Sequence, residues 1–129
     1  MQTKLYHVQK AVYDLLSAST SLPGIYDETP DDSTFPYITL GDFTEERFDT
    51  MGNYGSEITF NVHIWSQYRG YKEAYEYLAI VDSILDYAEL SSSGFSCVYC
   101  RNEFVNTLMD PDGITRHVVS RYRVIVQGV

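Results

Sequence analysis

The sequence predicts an α+β fold. It reads as one domain over residues 1–129 in the order αββαββ, a mainly antiparallel four-stranded sheet with two helices packed on it. Three observations predict this. From Glu57 to Trp65 polar and apolar residues alternate strictly, with Ile58, Phe60, Val62 and Ile64 on one side, the period of a half-buried strand. After Ser66-Gln67-Tyr68-Arg69-Gly70 the period lengthens. Ala74, Leu78, Val81, Leu85 and Ala88 recur at steps of three and four, with Tyr77 and Ile84 widening the stripe, as on an amphipathic helix over 71–88. Asp110-Pro111-Asp112-Gly113 then has the residues of a type I turn. It joins two further strands, Phe95 to about Met109 and Ile114 to Gln127.

The remaining elements follow in chain order. Leu5, Val8, Val12, Leu15 and Leu16 form the stripe of a first helix over 4–17, with Thr3 as its N-cap. Pro23-Gly24 ends it, Gly24–Asp27 is a short extended piece, and Thr29–Thr34 is loop by composition. Phe35–Leu40 opens the first long strand, where Pro36 fits a strand start and not its middle. Phe43–Thr50 is polar yet extended, and Met51–Gly55 supplies a turn. The result is a long β-hairpin over about 37–65. Its tip, about Phe43–Ser56, has little apolar content of its own and is expected to be mobile in a monomer. In the last strand Ile114, Val118, Tyr122, Val124 and Val126 share one face, yet Val119 and Ile125 lie on the other. Either the first helix or a neighbouring subunit must cover that second face.

Composition narrows the function classes. At 129 residues and 44% hydrophobic, the chain can build a core without disulfides. Met1–Lys10 has no apolar run after its lysine, so no signal peptide is expected, and no stretch approaches the roughly 20 apolar residues of a membrane span. A cytosolic protein is the expectation. The net charge is −9, concentrated in residues 26–57, where nine acids face Arg47 alone. Such a chain has no general phosphate-binding footprint. The acidic stretch reads either as a solvated loop face or as a surface that repels DNA or meets a basic partner.

No chemistry assembles in the sequence. Cys97-x-x-Cys100 is a single pair without the further ligands of a zinc site, and an offset of three on a strand puts the thiols on opposite faces. Counting a calcium loop from Asp110 puts Arg121 where the twelfth-position glutamate belongs. His63 and His117 sit on predicted sheet surface with no carboxylate at motif spacing. Arg101, Arg116, Arg121 and Arg123 gather on the C-terminal hairpin. They either pair across strands with Glu103 and its neighbours or dock on the acidic hairpin of another copy.

Several motifs in order nevertheless form a pattern. Phe35-Pro36-Tyr37-Ile38 follows an acidic, proline-containing loop, and His63-Ile64-Trp65-Ser66 precedes Gly70-Tyr71-Lys72-Glu73-Ala74 at the helix start. Asp110-Pro111-Asp112-Gly113 then leads into a tyrosine- and valine-bearing final strand. In this order, over nearly the whole chain, the sequence resembles the tail-completion, or tail-terminator, proteins of long-tailed bacteriophages and prophages. The resemblance implies a hexameric ring on the head-proximal end of the tail tube, which stops tube polymerisation and offers a surface to the head connector or stopper protein. It implies a virion protein of the tail–head junction, assembled in the bacterial host cytoplasm, with no cofactor, metal, catalytic site or membrane contact. DNA would pass through the ring without specific binding. On this reading Arg47, Phe48, Met51, Tyr54, Arg116, Arg121 and Arg123 are candidate subunit or tube contacts, and Glu45, Glu46 and Asp49 a candidate acidic lumen. The alternatives are a head-side neck protein, and a small cytosolic enzyme or ligand-binding domain using the sheet around His63, Trp65 and His117.

Overall fold

The alternating run Glu57–Trp65 becomes the middle of the sheet. The computed structural model describes residues 3–28, 34–49, 51–52, 54–91 and 95–128. Its elements are α1 (Leu5–Ser17), β1 (Gly24–Tyr26), β2 (Tyr37–Arg47), β3 (Gly55–Ser66), α2 (Lys72–Leu85), β4 (Phe95–Met109) and β5 (Arg116–Gly128). The strands form one sheet in the order β1-β2-β3-β5-β4. The class is α+β as expected, with two corrections. The short piece at Gly24 pairs in parallel with β2, Ile25 opposite Ile38, so the sheet is five-stranded and mixed. The order is therefore αβββαββ rather than αββαββ.

Both helices lie on one face. The stripe Val8, Val12 and Leu16 of α1 and Ala74, Val81 and Leu85 of α2 meet Ile38, Leu40, Ile58, Phe60, Val62, Ile64, Val118, Tyr122, Val124 and Val126 in one core. Leaving these side chains water-exposed would forfeit roughly 1.5–3 kcal/mol each, which fixes the strand register. Neither helix covers the opposite face. Val119 and Ile125 are thus not covered by α1, one of the two options open from the sequence. Ile125 is 5% exposed all the same, tucked between Glu57 and Tyr99 on the flanking strands. Ile114 precedes β5 and is 55% exposed, so it does not join the core.

The hairpin is not a free ribbon. β3 pairs with β5 along its whole length, from Gly55–Gln127 to Ser66–Arg116, so the ribbon as far as Arg47 and Gly55 lies within the sheet. A bulge between Gly41 and Thr44 sets two β2 residues against one of β3. Asp42 takes a left-handed φ of 54° there, and Phe43 turns to the core, stacking on Phe60 at 5.3 Å. The tip therefore owns an apolar anchor that strict alternation hides.

Bulges re-aim β4 as well. One between Cys97 and Tyr99 puts Cys97 opposite Val126 and Cys100 opposite Val124, so both thiols share the helix-side face rather than opposite faces. Both are free, and burial pushes the Cys100 thiol up to about 12, which leaves it unreactive. The β4–β5 turn is as expected. The Gly113 N–H donates to the Asp110 carbonyl at 2.9 Å, and Asp112 accepts from the Ile114 and Thr115 amides at 2.8 Å each.

Candidate functional site

The residues singled out from the sequence fall into two regions. The first is the hairpin tip. The Phe48 N–H donates to the Gly55 carbonyl at 2.9 Å, and Asp49 Oδ1 accepts from the Gly55 N–H at 3.2 Å. A Cβ on Gly55 would stand 2.4 Å from the Phe48 carbonyl oxygen, so only glycine lets the strands close here. Asp49 also faces the Arg47 guanidinium at 3.5 Å. The Tyr54 carbonyl accepts from the Gly128 N–H at 2.7 Å, tying the tip to the end of β5. Outside this frame Phe48, Met51 and Tyr54 stand exposed, Met51 completely. Ties at Phe48, Asp49, Tyr54 and Gly55 beside three bare apolar side chains suit docking, because less ordering entropy is lost at those residues on contact.

The acidic trio is split. Opposite Ile58, Glu45 turns to the helix side. There its carboxylate accepts from Thr3 Oγ1 at 2.6 Å and from the Lys4 N–H at 2.9 Å. It thus supplies the negative charge that the first turn of α1 lacks, where a carboxylate is favoured by the helix dipole. Thr3 is not the formal N-cap; Lys4 is, although Thr3 Oγ1 accepts from the Leu5 N–H at 3.3 Å. Glu46 lies on the other face, across from Glu57, and is exposed. Asp49 closes the tip.

The second region is the C-terminal hairpin. Arg121 Nε lies 3.1 Å from Glu103. Arg123 bridges Glu103 and Glu57, so both arginines are paired within the chain. The bulge between Asn102 and Phe104 is what presents Glu103 to them. Arg101 lies over the Tyr99 ring and Arg116 over the Tyr71 ring. Cross-strand pairing thus accounts for Arg121 and Arg123, while Arg116 keeps a buried Nε without a partner among the described residues.

Between these regions the uncovered sheet face carries a constellation the sequence hid. His63 Nε2 lies 3.0 Å from Asp42 Oδ2 and its Nδ1 2.7 Å from His117 Nε2. Asn61 also donates to Asp42, at 3.1 Å. His117 stacks on Trp65 with centroids 3.7 Å apart, and Trp65 Nε1 donates to Thr39 at 3.2 Å. A carboxylate only accepts, so the chain is satisfied with both imidazoles protonated at Nε2, donating in sequence toward Asp42. Hydrogen bonds from Asn61 and His63 hold the Asp42 carboxyl below its ordinary range. Burial pushes His117 down to about 4, with the neighbouring His63 adding to it. Asp42 escaped notice because it is 21 residues from His63 and reaches it only through the bulge.

These hydrogen bonds link β2, β3 and β5 across the sheet. The surface hollow lined by Thr34, Phe35, Pro36, Gln67, Tyr68 and Glu73 includes none of the residues that make them. Among the described residues no group of three or more His, Cys, Asp and Glu is set to hold a metal. No helix among them is long and apolar enough to cross a membrane.

Comparison with known proteins places this architecture. Residues 10–127 match the family model described as tail completion protein gp17. The chain is 26% identical over 125 residues to the tail completion protein gp17 of Bacillus phage SPP1, covering 94% of this chain and 92% of that protein. Among solved structures, a chain from the virion of a native gene transfer agent particle superposes with a TM-score of 0.84 at 23% identity, over 93% of this chain and 94% of that one. The structure of bacteriophage SPP1 gp17 gives 0.62 at 24% identity, over 94% and 91%. Both likenesses are of fold.

Proposed function

The chain belongs to the tail completion protein gp17 family, a structural protein of the phage virion and not an enzyme, and from that premise we propose that it forms a homo-hexameric ring on the head-proximal end of the tail tube. The ring stops tube polymerisation and offers the head connector or stopper protein its attachment surface at the tail–head junction. The match of residues 10–127 to the family carries this reading. The geometry supports it: a tip tied at Phe48, Tyr54 and Gly55 and displaying Phe48, Met51 and Tyr54, with Arg47 beside them, is an apolar contact for a tube protein or a neighbouring copy. On the other hairpin Arg101 and Arg116 have no carboxylate partner among the described residues, and Arg116 is the candidate contact offered to an acidic neighbour. Arg121 and Arg123 serve a contact indirectly, by holding Glu57 and Glu103 in place.

The acidic lumen belongs to the same proposal. Glu46 and Asp49 present charge at the hairpin, and Glu45 adds to the field while anchoring α1. Like charge keeps DNA from adhering as it passes. Phage lacking the chain should accumulate separate heads and tails with overlong tubes, and supplying the chain in trans should restore joined particles. Tubes of normal length that still join heads would overturn the proposal. A defect confined to heads, with tails complete, would assign the chain to the neck instead.

A further inference from the structure

β4 is the long edge of the sheet, and its two halves are treated differently. As far as Asn102, the segment after α2 covers its outward backbone. The Cys97 N–H donates to Ser91 Oγ at 2.8 Å, the Tyr87 N–H to the Cys100 carbonyl at 2.6 Å, and the Asn102 N–H to Asp86 Oδ1 at 2.8 Å. Beyond the bulge at Asn102 and Phe104 this cover ends. Among the described residues nothing hydrogen-bonds the outward backbone of Phe104–Met109. Apolar side chains stand out on both faces of the same segment: Phe104 is 48% exposed, Val105 42%, Leu108 42% and Met109 47%. Soluble proteins blunt such an edge with lysine, proline or an inward charge. Phe104-Val105-Asn106-Thr107-Leu108-Met109 contains none of these.

The opposite edge is also open. β1 makes no backbone hydrogen bond on its outer side among the described residues, and it closes an uncharged stretch, Leu15–Tyr26. Charge decides the occupant. At net −9, copies of the chain repel one another, and two uncharged sheet edges are where they approach at least electrostatic cost. The register puts Phe104, Asn106 and Leu108 on the same uncovered sheet face as Gly24 and Tyr26, so a sheet continued across the two edges keeps one face throughout.

We propose that Phe104–Met109 of one copy pairs with β1 of the next, so that the sheet runs on from subunit to subunit. This rests on the ring reading above and names its contact. The joined surfaces differ, so the contact is head-to-tail and repeats until it closes. Main-chain hydrogen bonds give the pairing, and Phe104 and Leu108 beside Tyr26 give the apolar contact.

The test uses the full chain with Cys97→Ser and Cys100→Ala, carrying either Asn106→Cys or Tyr26→Cys. The two proteins are mixed at assembly concentration, treated with a short bismaleimide and imaged in negative stain. Cross-linked heterodimers joined between positions 106 and 26, with no homodimer of either protein, are expected. Homodimers through position 106 would overturn the inference, because β4 would then pair with itself. Rings without the 106–26 link would overturn it too while leaving the ring reading intact, and the absence of both rings and links would overturn the two together. A second variant, Val105→Lys with Leu108→Lys, should lose the assembled species while melting as the parent does. Rings that persist in it would contradict the pairing.

Discussion

Glu45 shows how much of a side chain's role charge alone leaves out. In the sequence it is one acid in a run; in the fold it holds the first turn of α1 through Thr3 and the Lys4 amide. Replacing it with alanine should cost about 1 kcal/mol, the usual value of a helix-end acceptor, read as a lower denaturation midpoint at unchanged slope. Glu46→Lys, exposed on the other face, should leave the midpoint where it is. In the assembled particle it should impair DNA passage with assembly intact, and particles that package and eject normally would contradict the acidic lumen. His117 predicts a pH dependence. Its folded pKa of about 4 lies below the ordinary 6.5, so the unfolded chain takes up the proton first. The stability it contributes is complete above about pH 6.5 and is lost as pH falls toward 4. Melting temperature should therefore drop across that window, and His117→Phe should flatten the drop. Trp65, the one tryptophan, stacks on His117, so its fluorescence should change as the imidazole titrates.

At the scale of elements, the places where sequence reading failed share one cause. Periodicity made the core of β3, the stripe of α2 and the Asp110–Gly113 turn legible, because burial on one face and a four-residue turn are local signals. Bulges are not local. Two of them, between Gly41 and Thr44 in β2 and between Cys97 and Tyr99 in β4, shift side chains by one face and misled every reading that depended on them: Phe43 as tip and Asp42 as remote from His63 through the first, Cys97 and Cys100 as opposed through the second. The parallel pairing of β1 is likewise a long-range choice that three residues cannot announce. One element-scale prediction concerns the tie between α2 and the sheet. Asp82 accepts from the Tyr122 hydroxyl at 3.0 Å and from the Asn102 amide at 3.1 Å. Asp82→Ala removes the carboxylate that accepts from the buried Tyr122 hydroxyl and the Asn102 amide, and should cost about 1–3 kcal/mol in a denaturant melt. A further one concerns the tip. Gly55→Ala forces a methyl onto the Phe48 carbonyl, and should destabilise the hairpin while the α2 face stays native in hydrogen exchange.

For the molecule as a whole, the features combine into an assembly subunit. Helices cover one face of a mixed sheet, the other face is braced by ion pairs and the Asp42–His63–His117–Trp65 chain, and exposed apolar side chains include those at the hairpin tip and along the free half of β4. That distribution is the one the proposed ring requires, with contacts repeated from copy to copy. The chain belongs to the tail completion family, and in the ring proposed above its charge of −9 would suit a wall past which DNA moves. The most direct measurement is imaging of purified tail tubes, polymerising from tube protein, before and after the chain is added. Six-fold density at one end of each tube and an end to elongation are predicted. Tubes that keep growing, with no added density at either end, would contradict the account.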